Sequence, residues 1–411
     1  MATILFCNIP EPNHAFPMMP FVQEFRKRGH RVIFSTGQQG VTVSEDTFET
    51  VVGRISGSGT VLSPYQEEFD TLYEQILQRA TSTIEGYHSI LRQESPDFVM
   101  VGSLDVGAAI ASEQLRVRWA VMGINPGMLE PEGGAPYTGR GIDSTGLKTR
   151  VIRYFHHQAL KKWDNAVNEL RNAHGLSSLR GAFTRQMLQG GQYLALGIPS
   201  MEIGSPRFPD QVEFVGPVVW GPERTTQKPD WFGRLPAPVV VVLLRYVPAP
   251  DNHILVKRLI DGLGDENCSV LIECGDENLG LENYPDNFRV VEHLTFSSLL
   301  PDVHLLVHRG NYFAYAAGIR EGIPAMIVPT GAEGRENAAR ARYAGIAEVM
   351  DLDQFRPERL RKAMSRLLRE PLTRMLAERL RHSLEGYHSI AEVARAVEQK
   401  AKEEGSKTNE E

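Results

Sequence analysis

His14 stands in a polar turn just after the short apolar run of residues 3–7. A neutral imidazole, with an ordinary pKa near 6.5, can take a proton from a hydroxyl at cellular pH. A histidine in such a loop can also do no more than cap a helix. In the second half of the chain, Arg245 and Arg309 each follow an apolar run. A guanidinium presents a planar fork of donors that suits phosphate or carboxylate, at about 1.5–3 kcal/mol per charge-assisted bond. A buried arginine without an acceptor is costly, so at least one of the two must have a partner or reach water. Gly310 and Asn311 follow Arg309 at the start of an amphipathic stretch. Backbone N–H groups at a glycine turn that opens a helix are a natural anion site. Asp351-Leu-Asp353 mimics a metal-binding pair, but its place just ahead of Pro357 suits a helix start, and no metal is expected.

The elements that must carry these residues alternate between short apolar runs and helical stretches, the pattern of a parallel α/β sheet. Strands are expected at 3–7, 31–35, 98–101 and 120–122, with helices at 20–28 (ended by Gly29), 106–114 and 149–174. Arg153, His156, His157, Lys161 and Lys162 form the solvated side of the last of these, and the glycine-rich residues 133–146 before it predict a mobile loop. Proline and glycine crowd residues 216–237, which reads as a linker between two domains, 1–215 and 238–385. The second domain restarts with the continuous apolar run 238–244, typical of a central parallel strand. Further strands are expected at 269–273, 288–291, 304–307 and 325–328, and helices at 252–263, 312–322 and from 357 to about 402. The last helix, 386–404, is expected to pack back on the first domain, and 405–411 to be disordered. Glu85-Gly-Tyr-His-Ser-Ile90 recurs as Glu385-Gly-Tyr-His-Ser-Ile390, which reads as a coincidence on two helices.

A formal net charge of −7 argues against a nucleic-acid binder. Cys7, Cys268 and Cys274 make neither a disulfide framework nor a zinc spacing, so a reducing cytosol fits. No apolar run reaches membrane-spanning length, and the first residues read as a buried strand, not a signal peptide.

Four stretches, at 13–36, 203–218, 287–311 and 321–346, together resemble the macrolide- and natural-product-type glycosyltransferases of the UDP-glycosyltransferase superfamily, over nearly the whole chain. The first is similar to that family's "GHxxP" opening, the second leads to its "VGP", and the last two resemble its donor-binding half. The resemblance implies a GT-B fold: two Rossmann-like domains facing a central cleft, acceptor in the first and nucleotide sugar in the second. It implies inverting transfer with His14 as base to a lipophilic acceptor such as a polyketide or macrolide. A UDP- or dTDP-linked sugar would be the co-substrate, with no permanently bound cofactor. The sequence permits a homodimer without specifying one.

The family often adds an aspartate that orients the histidine. Here that position is Gly102, and Asp105 can substitute only through a rearranged loop; otherwise it caps the helix beginning at Val106. The donor motif departs further. Where the family has "HGGxGT", this chain has Arg309-Gly-Asn-Tyr-Phe-Ala314, keeping only Gly310. The sugar-contacting Asp-Gln pair becomes Glu333-Gly334, the glycine after the first strand of the second domain becomes Arg245, and His293 and Phe296 replace a tryptophan and a glutamine. Two readings follow. Arg245, Arg309, Gly310, Asn311 and Glu333 hold the donor in an altered pose; or nucleotide-sugar use is lost, Tyr246, Tyr312 and Phe313 fill the cleft, and the protein binds or transforms a natural product in another way.

Overall fold

The structure, a computed structural model, describes residues 1–35, 49–50, 69–220, 228–244, 249, 251–275, 279–280, 283–291 and 299–403. Arg245, Tyr246, His293, Phe296 and the tail 405–411 lie outside the described residues.

Two parallel sheets form the frame. The first contains β1 (Thr3–Cys7), β2 (Arg31–Ser35), β3 (Glu49–Thr50), β4 (Phe98–Gly102), β5 (Trp119–Gly123), β6 (Tyr193–Ala195) and β7 (Val212–Phe214), in the order β3-β2-β1-β4-β5-β6-β7. The second contains β8 (Val239–Leu243), β9 (Ser269–Glu273), β10 (Phe288–Val291), β11 (Leu305–His308), β12 (Ala325–Ile327) and β13 (Ala347–Val349), in the order β10-β9-β8-β11-β12-β13. Strand order therefore reverses between β1 and β4 in one sheet and between β8 and β11 in the other. Ligands of open parallel sheets collect at the carboxyl ends of strands at such switch points.

Alternation along the strands explains the layers. Ile4 and Phe6 of β1 enter one core while Leu5 and Cys7 enter another. Val239, Val241 and Leu243 of β8 face the same core as Ile4, while Val240 and Val242 face a third. Side chains of a strand point alternately to opposite faces, and both faces here are covered, so the runs read as continuously apolar. One core is thus shared between the lobes, from Phe6 through Leu196 and Val218 to Tyr312 and Ile327.

The helices are α1 (Pro12–Ala15), α2 (Met19–Lys27), α3 (Phe69–Glu94), α4 (Val106–Gln114), α5 (Leu147–Ala173), α6 (Ala182–Arg185), α7 (Asn252–Leu263), α8 (Tyr312–Glu321), α9 (Gly331–Tyr343), α10 (Pro357–Arg369), α11 (Pro371–Ser383) and α12 (Ile390–Glu403). Gly29 ends α2's turn with φ +84°, the left-handed region that suits glycine. Helix α12 crosses to α2, with Glu398 accepting from Arg28 Nη2 at 2.7 Å and lying 2.7 Å from His30 Nε2.

Three expectations need correction. Residues 133–146 are not a loose loop: Gly139 and Gly141 donate to Glu336 Oε1 at 2.8 and 3.3 Å. His156 is not on the solvated side of α5, because its Nε2 lies 2.9 Å from Glu130 Oε1 and the residue is buried. The repeated hexapeptide is not on two helices: residues 85–90 lie within α3, whereas 385–390 form a turn and reach only the first residue of α12.

Candidate functional site

The chain leaving β1 turns sharply at α1, and the turn has a defined cap. Glu11 accepts the backbone N–H of His14 at 3.1 Å and the Asn13 side-chain amide at 3.0 Å. This is the satisfaction of free N–H groups that a helix start requires. Asn8 donates to the His14 carbonyl oxygen at 2.6 Å. A Cβ at Gly102 would sit 2.1 Å from Asn8 Oδ1. Gly102, where the resemblance has an aspartate, therefore leaves the room that Asn8 uses to hold the His14 loop.

The chain leaving β11 forms the opposite wall. Gly310 has φ +86°, and a Cβ there would lie 2.4 Å from the Gly334 carbonyl oxygen. A Cβ at Gly334 would in turn lie 2.5 Å from the Arg309 carbonyl oxygen. The two glycines let the 309–311 turn rest directly on the first turn of α9, and Asn337 ties it down by donating to the Gly310 carbonyl at 2.8 Å. Asn311, at the start of α8, reaches across the lobes and donates to Asn13 Oδ1 at 3.1 Å.

Glu333 joins the two walls. Its Oε1 accepts the Tyr312 N–H at 2.9 Å, so a carboxylate of the chain itself sits on the first N–H of α8, where the partial positive charge of a helix start favours an anion. Its Oε2 lies 3.4 Å from His14 Nε2. These two facing atoms are buried and neither finds a hydrogen-bond partner.

Electrostatics follow from this packing. Burial opposes protonation of His14, but the Glu333 and Glu11 carboxylates outweigh it and raise the imidazole above its ordinary value. Burial pushes the Glu11 carboxyl up to about 7, against the lowering effect of His14. His308, buried and accepting the Gly310 N–H at 3.1 Å, is pushed down to about 3 by burial and stays neutral. Beside this group, Arg340 bridges Glu202 of the first lobe (3.0 Å) and Glu336 of its own helix (3.1 Å), all three buried.

Of the residues expected to form the site, His14, Gly310, Asn311 and Glu333 come together. Asp105 is elsewhere: it caps α4 by accepting from Ala108 N at 3.2 Å and takes the Tyr87 hydroxyl. The carboxylates that act on His14 are Glu333 and Glu11. Arg309 is almost fully buried and holds both oxygens of Asp251, at 2.8 and 3.0 Å, so its partner is internal. Tyr312 and Phe313 are buried in the shared core, and the Tyr312 hydroxyl donates to Leu196 O and accepts from Val218 N, each at 3.0 Å. Sequence reasoning passed over Glu11, Asn8, Asn13, Glu202, Asp251, Glu336 and Arg340. Only Glu11 (three residues before His14, as a cap stands to the N–H it satisfies) and Arg340 (four after Glu336) carried a local signal.

Residues 257–399 match the family described as erythromycin biosynthesis protein CIII-like, C-terminal domain. The chain is 25% identical to 4'-demethylrebeccamycin synthase of Lentzea aerocolonigenes, over 97% of this chain and 99% of that one. The crystal structure of the glycotransferase of kitacinnamycin superposes with a TM-score of 0.76 at 16% identity, over 97% of this chain and 98% of that one.

The fold is GT-B.

This GT-B chain is thus related to natural-product glycosyltransferases, with an erythromycin biosynthesis protein CIII-like C-terminal domain. Another GT-B neighbour, the glycosyltransferase VinC, was crystallised in complex with dTDP; it superposes with a TM-score of 0.69 at 20% identity, over 97% of this chain and 99% of that one.

Proposed function

We propose that this chain moves a sugar from a UDP- or dTDP-linked donor to a hydroxyl of a lipophilic natural product, with inversion, and that His14 is the general base. The acceptor would lie on residues 1–215 and the donor on residues 238–385. The observation that carries this reading is the pair His14 Nε2 and Glu333 Oε2: buried, from opposite lobes, 3.4 Å apart and without hydrogen bonds. A sugar hydroxyl held by the carboxylate and an acceptor hydroxyl facing the imidazole would satisfy both atoms. His14 then takes the acceptor proton as the acceptor oxygen attacks the anomeric carbon. The anomeric carbon–oxygen bond breaks, and its electron pair leaves with the diphosphate. Glu333 and Glu11 favour the imidazolium so formed. Donor entry requires Glu333 to leave the Tyr312 N–H, which frees the start of α8 for the diphosphate.

One set of contacts favours a second reading. Glu333 fills the helix start, Arg309 is taken by Asp251, and Gly310 is pressed on Gly334. A chain that has closed its own anion site would use the lobes to bind or transform a natural product without a nucleotide sugar. Melting the protein with UDP, dTDP and GDP separately decides between the two. A nucleotide at 100 times its dissociation constant stabilises by about 2.7 kcal/mol. A rise in Tm with UDP or dTDP is expected. No rise with any nucleotide, alongside a rise with an apolar small molecule, would establish the second reading instead.

A further inference from the structure

Helix α5 carries an outward face that the site does not use. Leu147, Val151, Tyr154 and Phe155 are 78%, 51%, 61% and 65% exposed. Their spacing of four, seven and eight residues puts them on one stripe of a helix. The helix buries Thr149, His156, Leu160 and Trp163 against the first lobe. At about 100° per residue, the exposed stripe points roughly 160° away from that buried face. It therefore points away from the core of the first lobe. Scattered exposed apolar side chains are ordinary, but four contiguous ones, two of them aromatic, form a patch that wants a cover.

Charge says what kind of cover. The whole chain has a formal net charge of −7, yet residues 147–162 contain five lysines and arginines and no aspartate or glutamate. Lys148 borders the apolar stripe on one side, and Arg150 and Lys161 border it on the other. Lys162 is shared with Glu74 of α3 at 3.1 Å. A second copy of this chain is a poor occupant, because a two-fold pairing of the stripe would set these cations against each other. An apolar ridge with aromatic side chains and lysines or arginines along both edges matches a membrane surface. There, rings enter the headgroup boundary and long basic side chains reach outward to phosphate. Among the described residues no helix is long and apolar enough to cross a bilayer, so this contact is peripheral.

We propose that the N-terminal half of α5 docks the protein on an anionic lipid surface. The contact is independent of the transfer reading and stands or falls without it.

Sedimentation of the full chain with vesicles tests this. Vesicles of phosphatidylcholine with phosphatidylglycerol should bind it, phosphatidylcholine alone should bind it much less, and added salt should release it. Val151→Asp with Phe155→Asp should abolish binding. Lys148→Gln with Lys161→Gln should weaken it about tenfold or more, since each basic side chain near such a surface contributes appreciably. Leu372→Asp, at an apolar position 58% exposed on α11, should bind as the parent does. All are surface changes, so unchanged melting temperatures separate lost docking from lost folding. Absence of binding to anionic vesicles, equal binding to both vesicle types, or equal loss with Leu372→Asp overturns the proposal. So does a dimer of the unaltered chain that Val151→Asp with Phe155→Asp converts to monomer while vesicle binding persists, because the face would then be an interface between copies.

Discussion

The two sheets have the same strand order about their switch points, but the chain has furnished the two openings differently. Beyond β1, a capped turn pushes an imidazole forward: Glu11 and Asn8 hold the His14 backbone and leave its Nε2 without a hydrogen bond. Beyond β11, the chain folds onto itself. Gly310 presses on Gly334, Arg309 turns to Asp251, and Glu333 takes the first N–H of α8. A helix start attracts an anion whatever its source, so a well-placed carboxylate of the same chain competes with a diphosphate. A shared topology fixes where ligands can sit, and side chains decide whether the place stays open.

The sharpest way to break this contrast is to remove the imidazole. His14→Ala should lower transfer by about 10²–10⁴-fold, the usual worth of a positioned base, with little change in Tm. In the parent protein kcat/KM should fall as pH decreases through a pKa above 6.5, because Glu333 and Glu11 favour the protonated ring that cannot act as base. Unchanged turnover in the variant would remove His14 from the mechanism. The contrast also depends on the lobes being stitched together beside the site. Arg340→Met leaves Glu202 and Glu336 buried without their cation, and burial already raises the Glu336 carboxyl. The expected cost is about 3–5 kcal/mol in chemical denaturation. A much smaller loss would mean that the lobes part easily and water reaches the carboxylates. On the closed side, Gly310→Ala puts a Cβ on the Gly334 carbonyl and forces a left-handed φ on alanine. A loss of about 1–3 kcal/mol is expected. A neutral result would show that the 309–311 turn can lift from α9 without cost, as an entering diphosphate would require.

The same contrast shows how much could be read from the sequence. Central strands announced themselves as apolar runs, β8 above all, because both faces of a parallel sheet are covered. The short strands β6, β7 and β13 did not, although β12, equally short, was expected within 325–328. Helix α3, 26 residues long, was expected only at the hexapeptide 85–90. Identical hexapeptides at 85–90 and 385–390 took different structures, so tertiary packing, not local sequence, set them. At the site, His14 and Glu333 were legible because they fall at motif positions. What was not legible was pairing at a distance. Asn311 meets Asn13 across 298 positions of chain, and Arg340 meets Glu202 across 138. No periodicity encodes such contacts: burial required a partner for Arg309, but nothing local named Asp251, 58 positions away.

The smallest effect expected concerns the strap that helps keep the two openings in register. Glu398 of α12 meets Arg28 and His30 at the end of α2, and its carboxyl is held down at about 2, first by the hydrogen bond from Arg28 and then, against burial, by the bond with His30. A carboxyl lowered in the folded state adds stability above its unfolded pKa, near 4.5, and loses it as pH falls through the folded value. Glu398→Gln should therefore cost about 1 kcal/mol or less at pH 7, since such pairs lie near water. The difference from the parent should shrink between about pH 4.5 and 2. A difference that stayed constant over that range would assign the strap's hold to Val393, Ala394 and Val397 in the shared core and not to charge.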